Sequence, residues 1–404
     1  MKILHTADWH IGKQLYKYPL SEDLLLFFDE LLEIIQKEKI DVLLISGDIF
    51  DLSNPSNEDR KMYFSFLNQL RNFNLHIIIT AGNHDSARMI DGPKMLLEAL
   101  NIHVIGEGTE LNNQLITLPS DDKNSEDLII AAVPYLRERD IRKSIAGEMP
   151  SDKEALTKKG IIDHYKNLYA LAYAQNENAC KIAMGHLYIY GVKLSESERE
   201  IQVGNLAGIN AENLDVGFDY VALGHIHKPQ KIHAEDKLMY SGSPIALSFS
   251  ERKDEKRIVV ITVENNQVVE KKSIVLTNHR RLKKIEGTID EIKAKLKGYD
   301  KKLSLPTYIE IHAHEEKRDS SKQIELVELS SIKSDAFIIV NKRITFEEKS
   351  PYSFLASSQK DITEFTPLQV FEERLKESAE DEETKKELKN LYIEILEELQ
   401  NEGS

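Results

Sequence analysis

The chain has 404 residues, of which 41% are hydrophobic and 30% charged, values that suit a globular protein of two or three domains. Its single cysteine, Cys180, excludes a disulfide framework within the chain and suits a reducing compartment; lying in an apolar run, it reads as a small buried hydrophobe. The net charge of −15 argues against non-specific binding to nucleic acid, yet it is unevenly spread: Asp361 to Ser404 hold 14 acids and 5 bases, so the other 360 residues carry only −6.

The N-terminus, MKILHTADWH, enters a strand directly and lacks the charged-then-apolar pattern of a signal peptide. No apolar run approaches the ~20 residues needed to span a bilayer, so a cytoplasmic location is expected. Lys2 to Thr6, Val42 to Ser46, His76 to Thr80, Leu128 to Val133, Lys181 to Met184 and Tyr220 to Leu223 read as strands, and Leu238 to Tyr240 and Ile258 to Val263 as further sheet. Between the first two strands, Leu24, Leu25, Phe28, Leu31, Leu32 and Ile35 recur at helical spacing. Met62, Phe66, Leu70 and Phe73 repeat the pattern between the second and third. Strands alternating with helices predict a layered α/β domain.

The character of the sequence changes after about Asn278. Thr288 to Lys297 reads as a short helix, and Thr307 to His312 and Ala336 to Val340 as strands of a small α/β unit. Glu348 to Gln359, with Pro351 and a serine pair, reads as a linker. The tail is helical, with one stripe of Leu368, Phe371 and Leu375 and a second of Leu388, Leu391, Tyr392, Ile395, Leu396 and Leu399. The expected division is 1–277, 278–347, a linker over 348–361, and 362–404. From periodicity alone, the acidic tail suits a partner-binding element or a hairpin packed on its own protein equally well. There is no internal repeat and no low-complexity tract.

Five short segments carry the chemistry, each just after a predicted strand: Asp8-Trp-His10, Gly47-Asp48-Ile-Phe-Asp51, Gly82-Asn83-His84-Asp85, Gly185-His186 and Gly224-His225-Ile-His227. Loops beyond the carboxyl ends of strands line the ligand site of open α/β sheets, so five distant segments can converge at one edge. Together they offer two Asp, one Asn and four His as ligands, a mixed N/O set that suits Mn²⁺, Fe²⁺ or Zn²⁺ better than Mg²⁺ or Ca²⁺. Seven ligands are too many for one catalytic ion but suffice for two that share a carboxylate, and two ions about 3.5–4 Å apart clamp a phosphate and activate water. Such a pair would also add positive charge where a phosphate must sit. Glycines directly before Asp48, Asn83, His186 and His225 suit tight turns at strand ends. Asp85 is placed to orient the imidazole of His84. A bland set of strand-end polar caps rarely selects Asp, Asn and His at all five places. Of the 13 histidines, His76, His103, His164, His233, His279, His312 and His314 read as surface or structural, and His5, inside the first strand, as core or outer support.

This ordered series resembles the calcineurin-like metallophosphoesterase superfamily. Within it, HTADWHIGKQLY, GDIFDLSNPS, GHLYIYGVKLSESER, ALGHIHKPQ, YSGSPIALSFSE and PLQVFEERLKE are similar to the nuclease subunit of bacterial nuclease–ATPase complexes, over nearly the whole chain. The resemblance implies a β-sandwich flanked by helices, plus a small α/β capping domain that contacts DNA and C-terminal helices that dock on an ATPase subunit. It implies that Asp8, His10, Asp48 and His227 hold a first metal, and that Asp48, Asn83, His186 and His225 hold a second, with Asp48 bridging and Mn²⁺ the favoured ion. It places His84 on the scissile phosphate, helping the leaving oxygen depart, with Asp85 behind it, and gives Asp51 a supporting role in its loop. Lys13 and Arg88 read equally as backbone contacts to DNA or as solvated charges. The basic pairs Lys271-Lys272, Arg280-Arg281 and Lys283-Lys284 suggest a DNA path near the domain junction, though such runs are usually solvated faces. The resemblance further implies a homodimer, through helices from Glu22 and Glu58 onward, within a heterotetramer with the ATPase partner. The implied reactions are ATP-dependent double-strand exonuclease and single-strand or hairpin endonuclease activity in DNA repair, recombination and replication. A phosphomonoesterase or cyclic-nucleotide phosphodiesterase is the rival on the same site, against which the capping unit and acidic tail weigh. A non-catalytic scaffold would be expected to lack ligands, and none is missing.

Overall fold

The computed structural model describes residues 1–119, 126–141, 149–195, 198, 208–232, 236–300, 303–317, 319–332 and 334–346, with 368, 369, 371, 372, 375 and 382–402. The linker expected over 348–361 and His233 lie outside the described residues. The chain divides into two compact units, one of 1–284, 299–310 and 333–341, the other of 285–298, 311–332 and 342–404.

The first unit is built on two six-stranded sheets. The first contains β1 (Lys2–Thr6), β2 (Val42–Ser46), β3 (His76–Thr80) and β4 (Ile102–Ile105), all parallel. The second contains β5 (Leu115–Leu118), β6 (Leu128–Ala132), β7 (Lys181–His186), β8 (Tyr220–Gly224) and β9 (Leu238–Tyr240), with β6 to β9 parallel, β5 antiparallel on β6, and the two-residue strand Gln230–Lys231 on the far edge. The hairpin of β10 (Arg257–Glu264) and β11 (Gln267–Val275) completes the first sheet, in the order β11-β10-β1-β2-β3-β4, β10 lying antiparallel to β1.

Successive strand residues face opposite ways, and both faces are covered, so the strands read as unbroken apolar runs. Val42 and Leu44 of β2 join Ile130, Ile182, Met184 and Ala222 in the core between the sheets. Leu43 and Ile45 point the other way, onto α1 (Ser21–Glu38) and α2 (Asn57–Leu70), where Leu24, Phe27, Phe28, Leu31, Phe66 and Leu67 are buried. The outer face of the second sheet buries Ala183, Val221 and Leu223 against Ile161, Tyr165 and Leu168 of α3 (Pro150–Gln175). The result is a helix–sheet–sheet–helix sandwich, the α/β layering that the alternation of elements predicts. α1 starts with Glu22 and Asp23 in its first turn, where the helix dipole favours acids, and ends at Lys39 in the left-handed region (φ 55°). α2 opens on a capping box in which Ser56 and Asp59 satisfy each other's backbone N–H groups.

β12 (Leu282–Gly287), β13 (Thr307–Glu315) and β14 (Phe337–Phe346) form a three-stranded sheet in that order. In the second unit, α4 (Ile289–Leu296), capped by Thr288, and α5 (Ser320–Ser330) bury Ile289, Ile292, Leu296, Leu326 and Leu329. α6 (Glu382–Glu402) leaves Leu388, Leu391 and Ile395 exposed, while its Tyr392 stacks on Phe371. Among the described residues, no helix is long and apolar enough to cross a membrane.

The basic pairs near residue 280 are largely used internally. Arg280 is buried, forks onto Asp23 at 2.8 and 3.0 Å, reaches Glu22, and lies over the Tyr308 ring. Lys272 pairs with Glu38 and Lys284 with Glu310, and Lys283 lies over Tyr299.

Candidate dinuclear metal centre

Both sheets deliver side chains from the carboxyl ends of their parallel strands. Asp8 and His10 follow β1, Asp48 follows β2, and Asn83 and His84 follow β3. His186 is the last residue of β7, and His225 and His227 follow β8. Among the described residues, three groups have candidate ligand atoms within 4.8 Å of one another: Asp8, His10 and His227; Asp48, His186 and His225; and His10, Asp48 and His84. Asn83 joins the second group, its Oδ1 lying 3.0 Å from both His186 Nε2 and His225 Nδ1.

The loops after β1 and β2 are laced together by Asp8 N–H to the Gly47 carbonyl (3.1 Å), His10 N–H to Asp48 (3.0 Å) and Ile11 N–H to Ile49 (2.9 Å). Four candidate ligand residues stand in the left-handed region that L-residues disfavour: Asp8 (φ 55°), His10 (47°) and Asp48 (49°) in these laced loops, and His225 (98°) after β8. Gly47 also has positive φ (81°), whereas Gly224 serves close approach, because a Cβ there would fall 1.8 Å from the Ser46 carbonyl. Turning freedom, expected of each glycine, thus accounts for Gly47, and spatial clearance for Gly224.

The polar atoms fit a pair of cations. Asp8, His10, Asp48, His186, His225 and His227 are all buried. Asp8 Oδ1 accepts the His225 N–H at 2.8 Å, but its Oδ2 is buried with no donor. Asp48 Oδ1 accepts the His84 N–H at 2.9 Å, while its Oδ2 lies 3.2 Å from His186 Nε2 and 3.5 Å from His10 Nε2, one ligand from each group. That is the place of a shared carboxylate. The Nε2 atoms of His10 and His227 face each other at 3.2 Å, while their Nδ1 atoms face carboxylates: Asp51 Oδ1 at 3.3 Å and Glu251 Oε1 at 3.5 Å. His186 Nδ1 donates to the Ser46 carbonyl at 3.0 Å, which leaves its Nε2 lone pair to the centre. Buried lone pairs converging without donors carry a desolvation penalty that a cation relieves.

The electrostatics agree. Burial, with the nearby Asp48, raises the Asp8 carboxyl well above the ordinary range, although His186 opposes it. Burial also acts to raise Asp48, but His186, His10 and His84 outweigh it and leave that carboxylate well below. Asp48 and Asp8 lift His186 to about 9 against the effect of burial. Burial drives His10 and His227 down and, with His186, brings His225 to about 3. A cluster that draws protons onto both Asp8 and His186 is short of positive charge.

His84 differs from the expectation. Its ring stands edge-on to His10 with centroids 4.9 Å apart, and its Nδ1 donates to the Asp51 carbonyl at 2.7 Å. Asp85 does not orient it. Both Asp85 oxygens are taken by backbone N–H groups, Gly82 at 2.8 Å, Phe50 at 3.0 Å and Ile49 at 3.1 Å, because the β2 and β3 loops leave these donors buried without another acceptor. Asp51 supports His10 through its side chain and is itself paired with Lys13 at 3.0 Å, which ties Lys13 to the centre. Arg88 is exposed. His5 is buried, 3.0 Å from the Tyr220 hydroxyl.

Sequence reasoning missed Glu198, Glu251 and Lys256, all buried around His227. Their one signal is that Glu198 and Glu251 lie inside the GHLYIYGVKLSESER and YSGSPIALSFSE segments.

Two groups of N/O side chains meeting at one carboxylate form a candidate site for divalent metal. A family model described as calcineurin-like phosphoesterase matches residues 1–229, and the chain belongs to that family. It is a metal-dependent phosphodiester hydrolase. It is 30% identical over 415 aligned positions to the SbcD component of the nuclease SbcCD of Escherichia coli (strain K12), covering 100% of this chain and 99% of that one. It is also 32% identical to the SbcD component of the nuclease SbcCD of Bacillus subtilis (strain 168), over 70% of this chain and 72% of that one.

Proposed function

We propose that the chain is the nuclease subunit of an SbcC–SbcD-like complex that hydrolyses DNA phosphodiester bonds. The observation that carries this reading is the end-to-end similarity to a named nuclease component, on a chain whose seven candidate ligands lie close together. Asp8, His10, Asp48 and His227 would hold one divalent ion, and Asp48, Asn83, His186 and His225 the other, with Mn²⁺ favoured by the mixed donor set. Bound there, the ions supply a water nucleophile at neutral pH and neutralise charge growing on the phosphate.

The chain's own residues do the rest. Asp51 and Glu251 aim His10 and His227, and the Ser46 carbonyl aims His186. The Asp51 carbonyl fixes His84 Nδ1, so its Nε2 is the atom that serves the substrate. A new P–O bond forms to water, whose proton passes to solvent, the bond to the 3′-oxygen breaks, and that oxygen takes its proton from His84 Nε2. The remainder of the reading follows the same similarity: ATP-dependent double-strand exonuclease and hairpin endonuclease activity, a homodimer, an SbcC-like ATPase docked on the C-terminal helices, DNA contacts on the 278–347 segment, and a cytoplasmic location.

The test is Mn²⁺-dependent cleavage of a labelled DNA hairpin by the wild type and His84→Gln, with the ATPase partner present. The variant is expected to keep both metals and lose about 10²–10⁴-fold in rate. Equal cleavage by both removes the role given to His84. Absence of hairpin cleavage by the wild type, with hydrolysis of small phosphoesters retained, moves the substrate class to small molecules.

A further inference from the structure

His227 is gripped through its N–H, its carbonyl and its Nδ1, while its Nε2 faces His10. The N–H donates to Glu198 Oε1. The carbonyl accepts from Lys256 Nζ at 3.1 Å and from the Ser243 N–H at 3.1 Å. Nδ1 faces Glu251 Oε1 at 3.5 Å, with Glu198 Oε1 at 3.7 Å. Glu251 is itself locked: Oε2 receives Lys256 Nζ at 2.6 Å and the Leu247 N–H at 3.1 Å, and Oε1 receives the hydroxyls of Ser195 and Ser248, each at 3.2 Å. Lys256 adds Ser243 Oγ at 2.8 Å, and both charged residues are nearly inaccessible, Glu251 at 1% and Lys256 at 8%.

A buried Glu–Lys pair adds little net stability over apolar residues of the same volume, because desolvation offsets the attraction. Its value lies in what it holds still. The arrangement is repeated at His10, where Asp51, paired with Lys13, faces Nδ1 at 3.3 Å. The histidine of the other group that the backbone aims, His186, uses the Ser46 carbonyl instead. The two histidines of one metal position are therefore each backed by a carboxylate–lysine pair, and a carboxylate behind an imidazole both fixes its tautomer and strengthens its donor nitrogen.

We propose that Glu251, locked by Lys256, is the positioning residue that holds His227 in its Nδ1-protonated tautomer and aims Nε2 at the first metal position. This rests on reading the cluster as a two-metal site. The experiment measures Mn²⁺ binding by calorimetry and by the electron paramagnetic resonance of the bound ions, in the wild type, Glu251→Gln, His227→Ala and the double variant, with the metal-free melting temperature alongside. Glu251→Gln is expected to weaken one of the two ions about 10–100-fold and leave the other unchanged. At limiting Mn²⁺ the signal of a coupled pair then gives way to that of single ions. Once His227 is Ala, the Glu251 change should have no further effect on affinity, a non-additivity that a merely structural role does not produce.

Equal affinities in the wild type and Glu251→Gln overturn the proposal, as does the same loss with and without His227. A wild type that binds no Mn²⁺ overturns the two-metal reading and this proposal with it; two ions bound with wild-type affinities in every variant overturn this proposal alone. Should Glu251→Gln fail to fold, ¹⁵N-histidine spectra of the metal-free wild type decide, with His227 assigned by its absence in His227→Gln. A proton on Nδ1 is the expected result, and one on Nε2 refutes it.

Discussion

Asp85 separates two accounts of the centre. If its carboxylate served His84, Asp85→Asn would slow turnover and leave the fold alone. The structure assigns it to three backbone donors instead: Oδ2 takes Gly82 and Ile49, and Oδ1 takes Phe50. An asparagine oxygen placed at Oδ2 keeps the first two and leaves Phe50 N–H facing an NH₂ group. One buried donor left unpaired costs about 1–3 kcal/mol, so Asp85→Asn should cost ~2 kcal/mol and Asp85→Ala, which abandons all three, about 3–9 kcal/mol. The larger figure is comparable with the entire stability of many domains, about 5–15 kcal/mol. Asp85→Asn should therefore lower the melting temperature by roughly 3 °C and weaken metal binding, because the tethered loops carry Asp48 and Asn83. Unfolding can be followed by the fluorescence of Trp9, the one tryptophan in the chain and a fully buried one. A variant that melts with the wild type, binds two ions normally and still loses turnover by orders of magnitude would refute this account and return Asp85 to His84.

Trp9 sits between two ligands and packs edge-on against Phe27, Phe28 and Phe66, so Trp9→Ala should cost about 3–5 kcal/mol by calorimetry and weaken metal binding, with Trp9→Phe much milder. Burial holds His164 at about 4, below its ordinary 6.5; its contribution is thus present above pH 6.5 and lost as the pH falls towards 4. Urea unfolding should show the wild type losing on the order of 3 kcal/mol more than His164→Gln across that window; parallel slopes for both proteins would sink the idea. Asp8→Gly and Asp8→Ala both delete a ligand, but the left-handed φ of 55° favours glycine, so metal-free Asp8→Gly should be more stable by about 1 kcal/mol. The opposite order would mean that this backbone stores no strain.

The side chains of the candidate site were legible as a set because their chemistry is rare at strand ends. An Asp, Asn or His after each of five apolar runs has few bland explanations, and the turn positions could be read from those runs. The division of strands between two sheets was not legible by the same means. Val42 and Leu44 face the other sheet while Leu43 and Ile45 face helices, yet all four are equally apolar, so the pattern says buried without saying against what. α3, a helix of 26 residues, escaped notice because its buried side mixes Ile161, Tyr165 and Leu168 with the small Ala172, while Leu171 and Tyr173 stand exposed. β11 escaped because its side chains are mostly exposed on the edge of the sheet, where Lys and Glu are tolerated.

The supporting carboxylates mark a deeper limit. Asp51 lies within a recognisable motif, but the choice between binding a metal and backing His10 depends on a few ångströms of loop geometry. Glu251 lies 24 residues beyond His227 and comes behind it only because the 3₁₀ turn at Phe249–Glu251 and the Ser243 loop fold back on the segment after β8. A charged residue there reads as solvated surface until the chain is folded. Asp85 fails in the opposite direction: its adjacency to His84 in sequence suggests a partnership, yet three N–H groups from elsewhere claim its oxygens first. Near a buried centre, unpaired backbone donors compete for carboxylates as strongly as side chains do, and that competition is settled by the fold rather than by neighbours along the chain.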